Sequence, residues 1–178
     1  MILETGRLLL REMDFFDRPA IAAILQDRQA MYAYEHAFSD KEVNAWITQQ
    51  LQRYAEYGFG LWAVADRRSG TVIGQCGITM QSCPDRPVPE VGYLFRRSAW
   101  GHGYATEAAI ACRDYAFHRL GLPEVFSLIR DNNYPSQRVA LRNGMSLRGR
   151  FVKRYYGMDL THLIFSARRP GALGACAL

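Results

Sequence analysis

A chain of 178 residues with 49% apolar side chains can bury one substantial core and falls short of the size at which chains divide into several. Its formal charge of +5 favours anionic partners, but the basic residues are scattered and no nucleic-acid-binding signature accompanies them, so nucleic acid ranks behind a small phosphorylated ligand. Cys76, Cys83, Cys112 and Cys176 show neither CxxC spacing nor a histidine partner pattern, which argues against a metal site or a disulfide framework and for reduced thiols. No basic-then-apolar leader and no apolar run near the ~18 residues that span a bilayer are visible, so the expectation is a cytoplasmic protein without a membrane partner.

Residues 7–11 alternate as a first strand, and Asp14 is placed to cap a helix with Pro19 early in it and Ile21, Ile24 and Leu25 on its apolar face. Ser39-Asp40-Lys41-Glu42 forms a capping box for a second helix, each side chain satisfying an otherwise unpaired backbone N–H. Val43, Trp46, Ile47, Leu51 and Tyr54 then recur at helical spacing until Gly58 and Gly60 end the pattern. Between the helices, Tyr32, Tyr34, Glu35 and His36 are candidates to line an acceptor pocket together with Tyr155 and Tyr156, although aromatic clusters more often serve packing. Residues 61–65 and 72–80 read as a hairpin around the turn Asp66-Arg67-Arg68-Ser69-Gly70. Residues 82–89 are expected to form a loop, because Pro84, Pro87 and Pro89 cannot donate a full ladder of N–H bonds.

The most informative stretch follows. Val91, Tyr93 and Phe95 alternate with Gly92 and Leu94 as a strand, and Trp100-Gly101-His102-Gly103-Tyr104-Ala105-Thr106-Glu107 opens a helix. The glycines let backbone N–H groups crowd one point, and the helix start adds unpaired donors and the positive end of its macrodipole. A phosphate or pyrophosphate is the natural occupant, with ordinary turn glycines as the alternative. It is neither a dinucleotide fingerprint, which needs a third glycine where Thr106 stands, nor a P-loop, which needs Gly-Lys-Ser/Thr. Glu107 fits an acidic residue stabilising the helix N-terminus. Ala108, Cys112, Tyr115 and Ala116 continue the helix to Gly121 and Pro123. Residues 125–129 read as a strand, 136–142 as a short helix ended by Asn143-Gly144, and 147–152 with 160–167 as a closing antiparallel pair. A single domain over residues 1–168 and a flexible tail over 169–178 complete the expected organisation.

Trp100 to Ala105 resembles the acetyl-CoA pyrophosphate loop of the GNAT acetyltransferases: Arg or Gln, two residues, Gly, one residue, then Gly or Ala. Gly103 and Ala105 match, whereas Trp100 departs from the first position. Three further segments make the chain similar to the branch that holds the ribosomal-protein-alanine N-acetyltransferases. They are Glu4-Thr5-Gly6-Arg7-Leu8-Leu9-Leu10-Arg11, Glu90-Val91-Gly92-Tyr93, and Asn133-Tyr134-Pro135-Ser136 ahead of Leu141-Arg142-Asn143-Gly144-Met145.

The resemblance implies an α+β fold whose mixed, mostly antiparallel sheet, flanked by helices, splays between its fourth and fifth strands, here residues 90–95 and 125–129. It implies acetyl-CoA as donor, with Gly101, His102, Gly103, Tyr104, Ala105 and Thr106 cradling the pyrophosphate. Tyr93, Leu94 and Phe95 would offer the pantetheine arm a strand edge, and Asn133 would hold its amide. No metal is implied. The activity would be N-acetyl transfer to a primary amine by direct attack, with a protein N-terminal amine and a small-molecule amine both open as acceptor.

Glu90 is the candidate base and Ser136 the candidate acid near the sulfur. Each has a structural alternative, Glu90 as a solvated edge charge and Ser136 or Asn133 as a helix cap. The base that many relatives carry on the fifth strand falls on Leu128 and the tyrosine acid falls on Ala140, so both are replaced. Those substitutions leave a non-catalytic acyl-CoA-binding module as the reading from another class. Arg138 and Arg142 read as a solvated face, and His36, His102, His118 and His162 as structural or surface residues. Exposed strand edges and the apolar C-terminal pair leave room for a homodimer.

Overall fold

The computed structural model describes residues 1–34, 36–155 and 157–171. Glu35, Tyr156, the side chain of Tyr155 and residues 172–178, which make up most of the expected tail, lie outside the described residues. The strands are β1 (Leu3–Glu4), β2 (Leu8–Arg11), β3 (Leu61–Asp66), β4 (Val72–Ser82), β5 (Pro87–Phe95), β6 (Glu124–Arg130), β7 (Ser146–Tyr155) and β8 (Met158–Arg168). The helices are α1 (Arg18–Leu25), α2 (Asp40–Tyr57), α3 (Tyr104–His118) and α4 (Tyr134–Arg142). All strands join one sheet in the order β1-β2-β3-β4-β5-β6-β8-β7.

Local chemistry sets the helix boundaries. Ser39 and Glu42 close their capping box at the start of α2, and Gly58, left-handed at φ 73°, ends it. Asp14 caps a single 3-10 turn, Phe15–Asp17, that feeds α1 rather than capping α1 itself. The bidentate pairing of Asp17 with Arg11, at 2.6 and 2.7 Å, holds that turn on β2.

Two cores cover the two faces of the sheet. One, under α3, contains Trp62, Cys76, Val91, Phe95, Ala108, Ala109 and Cys112; the other, under α1 and α2, contains Ile21, Val43, Ile47 and Leu61, with Leu94 packed against it. The small side chains of α3 bring it close enough for Cys112 Sγ to lie 3.5 Å from Cys76 Sγ on β4. Trp62 meets Tyr115 of α3 edge to face at 5.4 Å between ring centres, a contact worth about 1 kcal/mol beyond its buried area. Helix α3 is therefore fixed, and with it the loop that precedes it.

The segment expected as a loop at 82–89 is mostly strand. β4 runs to Ser82 and β5 starts at Pro87, paired Ser82↔Pro87 and Met80↔Pro89. Pro87 and Pro89 share one phase of the pleat, and no strand lies on the far side of that stretch until Glu90 meets Phe126, so their missing N–H groups leave no ladder bond unmade. A second difference concerns the count of strands: the short β1 makes the predicted fourth and fifth strands β5 and β6.

These two strands are parallel neighbours with a single register pair, Glu90↔Phe126. β4 stays paired with β5 as far as Gly74↔Phe95, and β8 stays paired with β6 as far as Arg130↔His162. The sheet therefore opens between β5 and β6 from Glu90 toward the ends of both strands. Alternation along β5 turns Val91, Tyr93 and Phe95 to the α3 face and Glu90, Gly92 and Leu94 to the α2 face.

Candidate active site

The turn between β5 and α3 stands at the open end of this split. Trp100 Nε1 donates to Phe95 O at 2.9 Å and folds the chain back onto the strand it has just left. Gly101 and Gly103 adopt φ 79° and 80°. A Cβ at Gly101 would meet nothing within 4 Å, so backbone conformation rather than space selects glycine there. The first backbone bond into α3 is Glu107 N to Gly103 O, 3.0 Å. Ahead of it, the N–H groups of Gly101, His102, Gly103, Tyr104, Ala105 and Thr106 donate to no atom among the described residues. Unpaired donors beside the positive end of a 15-residue helix can hold a multiply charged anion.

The N-terminal segment braces this turn. Glu107 accepts from Thr5 Oγ1 at 2.6 Å, Arg7 N at 3.0 Å and Arg7 Nε at 2.7 Å. Partial burial opposes its ionisation, yet the Thr5 hydroxyl and Arg7 hold its carboxyl below the ordinary range. The Arg7 guanidinium also donates to His102 O at 2.9 Å and lies 4.6 Å over the Tyr104 ring. Glu107 thus does more than face the helix dipole: it ties the segment that leads into β2 to the start of α3. Arg7, Arg67, Arg68 and Tyr104 line an open cleft of about 850 Å³ beside it.

Where the strands part, side chains take over bonds that the ladder no longer makes. Leu128 N donates to Glu90 Oε1 at 2.9 Å, and Ser127 Oγ donates to Val91 O at 2.8 Å. The fifth-strand position that lacks a carboxylate therefore meets one from the neighbouring strand through its main chain. Burial pushes the Glu90 carboxyl up to about 7, against the pull of the Leu128 N–H and of the Lys153 and Arg53 charges. The residue is only half-buried, so water still reaches it, and such a carboxyl changes protonation near neutral pH.

On the other face, Tyr93 Oη crosses to α4 and donates to Ser136 O at 2.9 Å. Burial raises the Tyr93 phenol, which stays protonated at neutral pH. Asn133 Oδ1 accepts from Ser136 N at 3.2 Å and from Tyr32 Oη at 2.6 Å. Helix α4 consequently starts at Tyr134, two residues earlier than expected, with Pro135 in its first turn where no N–H is needed.

Several site candidates are thereby narrowed. The Asn133 oxygen is occupied by the cap and by Tyr32, which leaves its NH₂ group as the available donor. Ser136 takes part in the cap through its main-chain N–H, and its hydroxyl reaches the Tyr93 phenol. Leu94 packs toward α2, and the Phe95 carbonyl is taken by Trp100.

Glu90 and Ser136 come to opposite faces of the same split. Two roles were not assigned from the sequence: Tyr32, named only as a pocket candidate, bridges the α1–α2 connection to Asn133, and Arg53 is a cation acting on Glu90. A lone arginine in an amphipathic helix carries no signal of its own, whereas a tyrosine-rich interhelical segment does mark Tyr32. Among the described residues no group of three or more His, Cys, Asp or Glu converges.

This geometry is matched by known proteins. The GNAT acetyltransferase domain model matches residues 7–146. The chain is 37% identical over 144 residues to the uncharacterized protein YkkB of Bacillus subtilis (strain 168), covering 80% of this chain and 84% of that one. The crystal structure of an acetyltransferase from Agrobacterium tumefaciens str. C58 superposes with a TM-score of 0.79 at 29% identity, covering 94% of each chain. The fold is also that of the ribosomal-protein-S5-alanine acetyltransferase from Vibrio fischeri, with a TM-score of 0.76 at 18% identity over 97% of this chain and 98% of that one.

The chain belongs to the GNAT acetyltransferase family. It is an acetyl-CoA-dependent acyltransferase.

Proposed function

We propose that this protein transfers the acetyl group of acetyl-CoA to a primary amine by direct attack within a ternary complex. The observation that carries the reading is the run of unpaired main-chain amides from Gly101 to Thr106, which fits the diphosphate of coenzyme A. From there the pantetheine arm enters the β5–β6 split, its amides meeting the freed edge of β5 at Tyr93 and Leu94 and the Asn133 NH₂ group.

The acceptor amine approaches from the α2 face. Glu90 takes a proton from the ammonium, directly or through water, and the free amine forms a C–N bond to the thioester carbonyl carbon. The C–S bond breaks as the nitrogen loses its second proton to solvent, the Ser136 hydroxyl delivers a proton to the departing thiolate and regains one from solvent, and Glu90 releases its proton to solvent before the next turnover. No covalent enzyme intermediate is needed. Free thiols at Cys76, Cys83 and Cys112 suit the reducing cytoplasm, where we place the reaction. A protein N-terminal amine is the acceptor suggested by the ribosomal-protein branch, and a small amine fits the same chemistry.

A free-thiol release assay with acetyl-CoA, run across small amines and peptides with free N-termini, tests this. Amine-dependent thiol release together with calorimetric binding of acetyl-CoA is the expected result. Binding without release for any amine would favour the acyl-CoA-binding module, and absence of binding would overturn the proposal.

A further inference from the structure

The α2 face of the split contains a cation that forms no ion pair among the described residues. Arg53 is half-buried, and its only hydrogen-bond partner among the described residues is the uncharged Gln50 Oε1, at 3.2 Å. Gln50 is wholly buried, and the same oxygen accepts from Leu61 N at 3.1 Å, so the stem of Arg53 rests on a fixed support. None of the ion pairs among the described residues includes Arg53. This contrasts with Arg7, Arg11, Arg18, Arg67, Arg97 and Arg113, each paired with a carboxylate. A half-buried guanidinium without an anion bears a desolvation cost that an incoming anion would relieve.

Its surroundings fix where that anion would lie. Arg53 acts electrostatically on Glu90, and Tyr34 and Tyr57 flank it. Lys153 also acts electrostatically on Glu90. Glu90 and Gly92 present the same face of β5, and a Cβ on Gly92 would lie 3.6 Å from Leu61 Cδ2, the side chain of the residue whose N–H is held by the Gln50 that supports Arg53. An acceptor bearing only ammonium groups would meet the Arg53 guanidinium and a Glu90 carboxyl that is half protonated near neutral pH. An acceptor that brings its own carboxylate would satisfy Arg53, while the nearby positive charge would favour the neutral, nucleophilic form of its amine.

We propose that the acceptor is a small amino carboxylic acid, its carboxylate bound by Arg53 and its amine presented to Glu90. This rests on the acetyltransferase reading of the same site and narrows its acceptor to one chemical class. Arg53 is a specificity-determining residue in this scheme and takes no part in the proton transfers.

The test uses the full chain saturated with coenzyme A or acetyl-CoA. Aliphatic and aromatic α-, β- and γ-amino acids are each compared with the corresponding amide and decarboxylated amine, by calorimetric affinity and by thiol-release kinetics. The expected result is at least a tenfold preference for an acid over its amide. Arg53→Gln should erase the preference by raising KM for the acid at least tenfold with little change in kcat, in coenzyme affinity or in melting temperature, and Arg53→Lys should restore part of it. Equal or better binding of amides or decarboxylated amines, no binding of any amino acid, or a preference that survives Arg53→Gln would each overturn the proposal. The broader reading fails separately, through loss of acetyl-CoA binding itself.

Discussion

The two ends of the split are built by different means. At the glycine turn the proposed functional atoms are main-chain amides from one continuous segment, and the side chains around them, Arg7, Thr5 and Glu107, act as braces. At the Glu90 notch the proposed functional atoms are side chains drawn from α2, β5, α4 and the α1–α2 connection, each held by a different neighbour. The first arrangement depends on backbone conformation and tolerates wide variation in side chains. The second depends on packing, and single substitutions can redirect it. One scaffold can therefore keep its coenzyme while its acceptor changes.

The largest expected effect lies at the notch. Glu90→Gln keeps the acceptor oxygen for the Leu128 N–H but removes the proposed base, and kcat/KM should fall by about 10²-fold or more. Acetyl-CoA affinity should stay within about threefold, because the turn draws on main-chain donors alone. In the unsubstituted protein the rate should rise with pH through about 7 as Glu90 ionises, and this limb should vanish in the variant. A variant that retains the limb would assign the proton transfer to another group.

Gly103→Val should produce the complementary result. A β-branched residue at φ 80° is strained by about 1–3 kcal/mol, and relaxing that strain would turn the amides of the loop away from their common point. Coenzyme affinity should drop by tens of fold in a calorimetric titration, with α3 still folded by circular dichroism. Undiminished affinity would locate the anion elsewhere.

Ionisation of Glu90 also leaves a mark on stability. Its folded-state pKa of about 7 lies above the usual 4.5, so the native state binds the proton more tightly than the unfolded chain does. Both states are protonated below about 4.5. As pH rises from there to about 7 the unfolded chain ionises first, and stability falls. Denaturant titrations should show the unsubstituted protein losing about 2 kcal/mol relative to Glu90→Gln across that window, less than the full shift implies because water reaches the half-buried carboxyl. Parallel pH dependence in the two proteins would place Glu90 in a solvated setting.

The smallest effects should separate cap from acid on α4. Asn133→Ala removes the oxygen that accepts from Ser136 N and should cost about 1 kcal/mol of stability. Ser136→Ala removes a hydroxyl that reaches the Tyr93 phenol, so stability should fall by no more than about 1 kcal/mol while kcat falls by about tenfold. A loss of stability with unchanged kcat would make Ser136 a structural residue.

The same contrast explains how much of the molecule could be read from its sequence. The capping box at Ser39 and Glu42, the glycine stop at Gly58 and the turn at Gly101 and Gly103 are local devices whose residue types announce their geometry. The strand at Pro87 and Pro89 was hidden because proline tolerance depends on whether a neighbouring strand needs the missing N–H, which is a property of the sheet. Glu90 was legible as a strand carboxylate, but its contact with Leu128 N follows from where two distant strands diverge. Arg53 and Tyr32 reach the site across 37 and 101 residues of sequence, Arg53 toward Glu90 and Tyr32 to Asn133, and no periodicity encodes such meetings.

The central claim concerns the amides from Gly101 to Thr106, and amide resonances in ¹⁵N-labelled protein titrated with coenzyme A test it most directly. The account predicts that Gly101, His102, Gly103, Tyr104, Ala105 and Thr106 show the largest downfield proton shifts, and that dephosphorylated pantetheine, lacking the diphosphate, leaves them unmoved. Saturation with coenzyme A that perturbs other amides and leaves these six in place would contradict it.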